Sequence, residues 1–205
     1  MTHNDYRALD DQLATLGWSL ETLEAVAESV ILFGSRAAGV ANARSDWDIL
    51  CVGHGATTKS KSVDVVWVSP LKLQSSKWLG SELASHVARF GKTIRGKLEW
   101  RSAVRVEESA VSKKARRIER RLCCLSDVWQ LLSVDFRKKH SILVHRDLCR
   151  LDCLYAHEPV PPTALLRADL NRLESLVQTR PEFQGSKALG TFQMMAKEFA
   201  DEFNL

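Results

Sequence analysis

Two carboxylates follow a glycine–serine pair at a short distance, and these four residues carry the clearest chemical signal in the chain. Gly34 and Ser35 close one apolar run, and Asp46 and Asp48 stand two residues apart where a second apolar run begins. Side chains two apart in a β-strand point to the same face, so the two carboxylates are expected to converge. Two carboxylates at such a short distance raise each other's pKa unless a cation lies between them. Mg²⁺ binds one or two carboxylates together with phosphate oxygens and water, so the pair predicts a metal–phosphate site.

A third carboxylate stands inside a later apolar segment. Asp64 interrupts the run 63–68, and a carboxylate inside an apolar strand is unfavourable without a partner. If the predicted strands 47–52 and 63–68 are neighbours, Asp64 completes a three-carboxylate cluster with Asp46 and Asp48.

The residues around the glycine–serine pair predict a phosphate-binding turn. The apolar run 30–33 predicts a buried strand that ends at Gly34, and residues 35–39 predict a single helical turn. A strand that stops at glycine and opens a helix lets the backbone approach an anion closely. Ser35 offers a hydroxyl and an N–H group to that anion. Arg36 either contacts phosphate or lies on the helix surface, and Ser45 either orients the metal site or only begins the next strand.

In order and spacing, Gly34–Ser35, the Asp46-x-Asp48 pair and Asp64 resemble the signature of the DNA polymerase beta-like nucleotidyltransferase superfamily, in its minimal form. The resemblance covers roughly residues 20–100. It implies a nucleotidyltransferase core, two Mg²⁺ ions and a nucleoside triphosphate (NTP) as substrate. It also implies that Asp46 and Asp48 bridge the two ions and that Asp64 binds the ion that activates the attacking hydroxyl.

The apolar pattern predicts an α+β protein in two parts. Residues 1–105 are expected to form a nucleotidyltransferase core, a small mixed β-sheet flanked by helices, and residues 106–205 a C-terminal helical bundle. Besides the strands 30–33, 47–52 and 63–68, the pattern predicts helices at 5–16, 19–29, 71–79, 81–90, throughout 108–157, at 163–178 and at 186–203.

Composition places the chain among ordinary globular proteins. Of its 205 residues, 45% are hydrophobic and 26% are charged, and the apolar runs are far too short for a membrane span. The first residues lack a basic segment followed by an apolar one, so no signal peptide is expected. Five cysteines on apolar segments favour reduced thiols in a cytoplasmic protein.

Positive charge is concentrated in one segment. The chain carries a net charge of +4, and residues 101–150 hold 13 basic against 6 acidic side chains. Contact with RNA phosphates or with a nucleotide triphosphate is one interpretation, and a solvated helix surface with i, i+4 ion pairs is the other. The densest run supplies the candidate nucleic-acid contacts Lys113, Lys114, Arg116, Arg117, Arg120 and Arg121.

The expected reaction is Mg²⁺-dependent transfer of a nucleoside monophosphate (NMP) from NTP to an acceptor hydroxyl, with release of pyrophosphate. The acceptor stays open: an RNA 3′ end or a protein side chain, as in toxin–antitoxin or defence enzymes of this type, or a small molecule, as in antibiotic nucleotidyltransferases. A different class of function is a non-catalytic module that binds nucleotide and a partner protein. The helical C-terminal part is expected to choose the acceptor or partner.

Overall fold

The structure, a computed structural model, describes residues 3–166 and 169–200, which fall into an N-terminal unit ending at Arg105 and a C-terminal unit beginning at Val106. The strands of the N-terminal unit are β1 (Ser29–Phe33), β2 (Trp47–Val52), β3 (Thr58–Lys59), β4 (Val63–Val68) and β5 (Lys92–Arg95). Its helices are α1 (His3–Ala14), α2 (Leu20–Val26), α3 (Gly34–Ala37), α4 (Pro70–Leu73), α5 (Ser76–Leu79) and α6 (Glu82–Phe90).

These strands form one mixed sheet in the order β3-β4-β2-β1-β5. β2 and β4 pair in parallel, which makes Asp48 the direct partner of Asp64. β1 pairs antiparallel with β2 and sets Phe33 opposite Asp48. Phe33, Asp48 and Asp64 therefore form a row across three adjacent strands.

Both faces of the sheet are covered, because the central strands are apolar on both sides. One face packs on α1 and α2 through Leu9, Leu13, Leu23, Val30, Leu32, Ile49 and Val65. The other packs on α4, α5 and α6 through Ile31, Leu50, Val52, Leu73, Trp78, Ala84 and Val87. Asp48 lies two residues before Leu50, and Asp64 lies two residues before Val66, which also packs on this second face. Both carboxylates therefore stand on the α6 side of the sheet.

The described residues of the C-terminal unit form helices joined by loops and 3₁₀ turns, with no strand among them. Its helices are α7 (Glu108–Val128), α8 (Val134–Tyr155), α9 (Leu170–Thr179) and α10 (Ala188–Glu198). They enclose a core that includes Ile118, Leu122, Trp129, Leu148 and Phe192. The predicted α+β fold, a small mixed sheet followed by a helical part, is confirmed. Within the described ranges, no helix combines the length and the apolar character needed to cross a membrane.

Several element boundaries differ from the sequence prediction. The helix predicted at 71–79 is two short helices, because Ser75 caps the second one. The helical pattern at 108–157 breaks after Val128 into a 3₁₀ turn, and Ser133 caps the next helix. The helix predicted from 163 begins at Leu170, and residues 201–203 of the last predicted helix lie outside the described residues. Strands β3 and β5 were not predicted.

Candidate active site

Three carboxylates, Asp46, Asp48 and Asp64, form an acidic cluster at one end of β2 and β4. Asp48 and Asp64 are partners in the parallel ladder, and Asp46 lies in the loop just before β2. All three are half-buried. The structure thus brings together the three acids that the sequence singled out.

Electrostatic repulsion within this cluster is visible at Asp48. Burial first, and then the negative charges of Asp46 and Asp64, raise the pKa of Asp48 to about 6, against a lowering by Lys59. A carboxylate in that position gains stability from any nearby cation. The acidic cluster is therefore a region of excess negative charge beside the α3 turn.

One cation already lies in the cluster. The Nζ atom of Lys59, on the edge strand β3, is 2.5 Å from Oδ2 of Asp64. The hydrogen bond to Asp64 raises the pKa of Lys59, and the charges of Asp46 and Asp48 act in the same direction. No sequence pattern distinguishes Lys59, because its approach to Asp64 depends on the pairing of β3 with β4.

Gly34 is packed directly against the acidic cluster. Its φ of 72° lies in the left-handed region, and a β-carbon there would collide with the carboxylate of Asp48. The Gly34 N–H donates a hydrogen bond to Nε2 of His86 on α6, at 3.3 Å. The ring of His86 also packs edge-on against Phe33, with 6.2 Å between ring centroids. His86 therefore fixes the turn that follows β1.

Arg36 holds the loop that delivers Asp46. Its Nε donates to the carbonyl oxygen of Asp46 at 3.2 Å, and its Nη2 donates to that of Ser45 at 2.7 Å. The guanidinium lies over the Trp47 ring, 4.1 Å from the centroid. The Arg36 guanidinium is thus bonded to backbone carbonyl groups beside the acidic cluster.

The remaining predicted phosphate-site residues lie close by. Ser35 is half-buried in the first turn of α3, and its carbonyl accepts the Val40 N–H at 3.0 Å. The Ser45 hydroxyl accepts the Asn42 N–H at 3.0 Å and so closes the loop before β2. Ser45 is thus an organiser of the Asp46 loop.

The acidic cluster fits a divalent cation that takes only part of its ligands from the protein. Across residues 3–166 and 169–200, no group of three or more His, Cys, Asp or Glu side chains is arranged to hold a metal ion by itself. Mg²⁺ takes one or two carboxylates and completes its shell with phosphate oxygens and water, which matches what Asp46 and Asp48 offer. The raised pKa of Asp48 reflects an unfavourable negative charge, which such an ion would stabilise.

The basic run on α7 is divided between the surface and the interior of the C-terminal unit. Four cations, Lys113, Arg116, Arg117 and Arg120, are exposed, and we call them the basic face. Three of them, Lys113, Arg116 and Arg120, line a groove of about 430 Å³ together with Ser109 and Ser112.

The other two cations of the run face a buried carboxylate. Asp147 on α8 is 4% exposed, and its oxygens lie 3.9 Å from Lys114 Nζ and 3.2 Å from Arg121 Nη1. A buried carboxylate needs such partners. We therefore leave Lys114 and Arg121 out of the candidate nucleic-acid contacts.

Comparison with known proteins finds one matching family model and two solved structures of low sequence identity. Residues 19–120 match the family model described as a nucleotidyltransferase domain, a range that includes the Gly34 turn and the whole acidic cluster. The chain is similar to a crystal structure of a toxin–antitoxin with AMP-PNP, at 20% identity over 58% of this chain and 98% of that chain, with a TM-score of 0.28. It is also similar to spectinomycin adenyltransferase AAD(9) from Enterococcus faecialis with ATP and spectinomycin, at 11% identity over 87% of this chain and 93% of that chain, with a TM-score of 0.44. No curated protein matches the chain.

Proposed function

Because this chain belongs to the nucleotidyltransferase domain family, we propose that it transfers an NMP from an NTP to an acceptor hydroxyl, with Mg²⁺ as the cofactor. The observation that carries the proposal is the pairing of Asp48 with Asp64 on adjacent parallel strands, with Asp46 held nearby by Arg36. In this reaction the acceptor oxygen bonds to the α-phosphorus, the bond to the bridging oxygen breaks, and pyrophosphate leaves. Positioning and charge neutralisation supply most of the acceleration of such a transfer.

Each residue of the site has a part in this proposal. Asp46 and Asp48 would hold Mg²⁺, and Asp64 would join them and accept the proton of the attacking hydroxyl. When bound, Mg²⁺ would neutralise phosphate charge and align the triphosphate with the acceptor. Gly34 lets the chain pass close to Asp48, and Ser35 offers its hydroxyl and N–H to phosphate. Arg36 acts as a positioning residue, because its guanidinium is bonded to the loop that carries Asp46.

For the acceptor we propose RNA. The basic face presents four exposed cations on one helix, and three of them line one groove. Guanidinium and ammonium groups are among the donors that proteins use most often to bind the phosphate backbone. A positively charged groove of this kind suits a polyanion better than a cationic aminoglycoside or aminocyclitol.

A labelling experiment tests the reaction and the acceptor together. The purified protein is incubated with α-³²P-labelled ATP, CTP, GTP or UTP and Mg²⁺, in separate arms with total RNA, with cell lysate and with a panel of aminoglycosides and spectinomycin. Label in RNA is the expected result, and Asp48→Asn is the inactive control. Label in protein or in an antibiotic would keep the transfer and replace the acceptor. Release of pyrophosphate without label in RNA, protein or antibiotic would point to hydrolysis of the NTP. Absence of both labelled acceptor and pyrophosphate would contradict the proposal.

The same control addresses a toxin–antitoxin or defence setting. Both chains are expressed under an inducible promoter, and growth is followed. Growth arrest by the wild-type chain but not by the Asp48→Asn chain would support a toxic activity that depends on transfer. Equal growth with both chains would remove that setting from the proposal.

A further inference from the structure

The strand β3 is only two residues long, and it carries the cation of the acidic cluster. Lys59 is the register partner of Asp64, and its ammonium contacts the Asp64 carboxylate. The Lys59 side chain is 67% exposed, whereas that of Asp64 is 20% exposed. The Lys59 side chain therefore lies mostly in solvent, and its ammonium contacts a carboxylate that is mostly buried.

This contact acts on the whole acidic cluster. The charge of Lys59 lowers the pKa of Asp48, and all three carboxylates raise the pKa of Lys59. Lys59 is thus a cation that opposes the repulsion between the carboxylates at Asp48. The lysine thus does in the metal-free protein part of what a divalent cation would do.

The contact is also easily broken. Exposed ion pairs stabilise proteins little. The lysine ammonium is carried on a flexible four-carbon stem, so it is hydrated as soon as it leaves the carboxylate. A divalent cation interacts more strongly with a cluster of carboxylates than a single ammonium does, because its charge is doubled. Because the Lys59 side chain is mostly exposed, it can leave Asp64 by rotating about its own side-chain bonds.

We propose that Lys59 is a resident counter-cation of the acidic cluster, which holds Asp64 when no metal is bound and yields that position when a divalent cation enters. The inference rests on the proposed function, because it takes the acidic cluster to be the metal site. It adds that metal binding is a competition, so that the affinity for the metal is set partly by a residue that is not a ligand.

Mn²⁺ binding in the absence of nucleotide tests this directly, by following the electron paramagnetic resonance signal of free Mn²⁺. Lys59→Gln is expected to bind Mn²⁺ at least threefold more tightly than the wild type, and Lys59→Arg, which keeps the charge, is expected to bind like the wild type. Lys61→Gln is the matched control, since Lys61 is exposed in the adjoining turn. In EDTA, Lys59→Gln should also show a lower thermal midpoint than Lys61→Gln, and addition of Mn²⁺ should raise its midpoint further than that of the wild type.

Equal or weaker Mn²⁺ binding by Lys59→Gln, or no binding by either protein, overturns the inference. The exposure of Lys59 keeps the variant foldable, so such a result would not be a folding defect. The transfer assay separates this failure from that of the proposed function: labelled RNA with unchanged Mn²⁺ affinity removes only the role of Lys59, whereas a wild type without transfer removes the function itself.

Discussion

At Asp48 the same geometry that would serve catalysis works against stability. Its raised pKa of about 6, caused by burial first and by Asp46 and Asp64 next, means that the folded protein favours the protonated acid. Between about pH 4 and 6 the folded state binds a proton that the unfolded state has released, so the contribution of Asp48 to stability falls as the pH rises through this range. Above it, the charged carboxylate remains unfavourable in the metal-free fold.

Asp48→Asn keeps the shape of the side chain and removes its charge. We expect it to abolish transfer and, at pH 7.5 in EDTA, to raise the thermal midpoint by roughly 2–4 °C, which corresponds to about 1 kcal/mol for a chain of this length. At pH 4.5 the gain should disappear, because the wild-type acid is protonated there. Thermal unfolding at the two pH values measures the effect. A lower midpoint at pH 7.5, or wild-type turnover, would contradict the assigned role.

Gly34 and Gly39 offer a matched pair of substitutions around α3. Both have left-handed φ angles, 72° and 75°, so alanine is strained by about 1–2 kcal/mol at either position. At Gly34 a β-carbon also meets the Asp48 carboxylate, whereas at Gly39 it meets nothing within 4 Å. Gly34→Ala should therefore lower kcat/KM by at least 100-fold, while Gly39→Ala should lose stability but keep the kcat/KM of the wild type. Steady-state kinetics and urea unfolding of both variants separate the two effects, and equal kinetic losses would show that strain alone matters.

At the scale of elements, the sequence predicts what depends on apolar patterns and misses what depends on pairing. The strands 30–33, 47–52 and 63–68 are apolar apart from Asp48 and Asp64, because they lie inside a sheet that is covered on both faces. The edge strands β3 and β5 have exposed or half-buried side chains and no apolar pattern, so they exist only through their bonds to β4 and β1.

The candidate site divides along the same line. Asp48 and Asp64 were predictable, because a carboxylate inside an apolar strand stands out in the sequence, and Asp46 was predictable from its spacing of two residues from Asp48. Lys59 and His86 were not, because each reaches the site from an element whose register or packing only the fold defines. The burial of Lys114 was equally unpredictable from the sequence, since its partner Asp147 lies on another helix.

Helix α8 carries a buried histidine whose protonation should destabilise the C-terminal unit. His145 is fully buried, its Nδ1 donates to the Ser141 carbonyl at 2.8 Å, and its ring lies 5.1 Å from that of Phe192. Burial lowers the pKa of His145 to about 4, and the bond to Ser141 offsets this only in part. The unfolded chain therefore binds a proton below about pH 6.5 that the folded chain does not, and stability falls as the pH falls from 6.5 towards 4.

This histidine gives a pH prediction for α8. From pH 7 to pH 5, the loss of unfolding free energy due to His145 should be about 2 kcal/mol. His145→Gln keeps a side-chain amide donor and cannot titrate, so its stability should depend less on pH by about this amount, even where the variant is less stable overall. Hydrogen exchange of the α8 backbone amides at the two pH values measures the change within this unit. The same pH dependence in the variant and the wild type would show that other groups are responsible.

At the scale of the whole molecule, the excess of positive charge is not spread evenly. The N-terminal half is balanced, with 11 basic and 11 acidic side chains in residues 1–100, and the surplus lies in residues 101–150. Part of that surplus is neutralised internally, where Lys114, Arg121 and Arg146 surround Asp147. What remains at the surface of α7 is the basic face, so a substitution there changes the surface charge without touching the core.

The basic face should dominate the salt dependence of RNA binding. Contacts to the phosphates of a single strand release counterions, and each contact adds about 0.7 to the slope of log affinity against log salt concentration. Arg116→Glu with Arg120→Glu should therefore weaken binding of single-stranded RNA to the Asp48→Asn protein at least tenfold at low salt, and reduce that slope by about 1.4. Lys77→Glu with Lys197→Glu makes the same change in net charge at two other exposed positions and should reduce the slope by much less. Fluorescence anisotropy of a labelled RNA between 50 and 300 mM salt measures both slopes. If the two double variants behave alike, the attraction comes from net charge alone, and the basic face has no specific part in holding the acceptor.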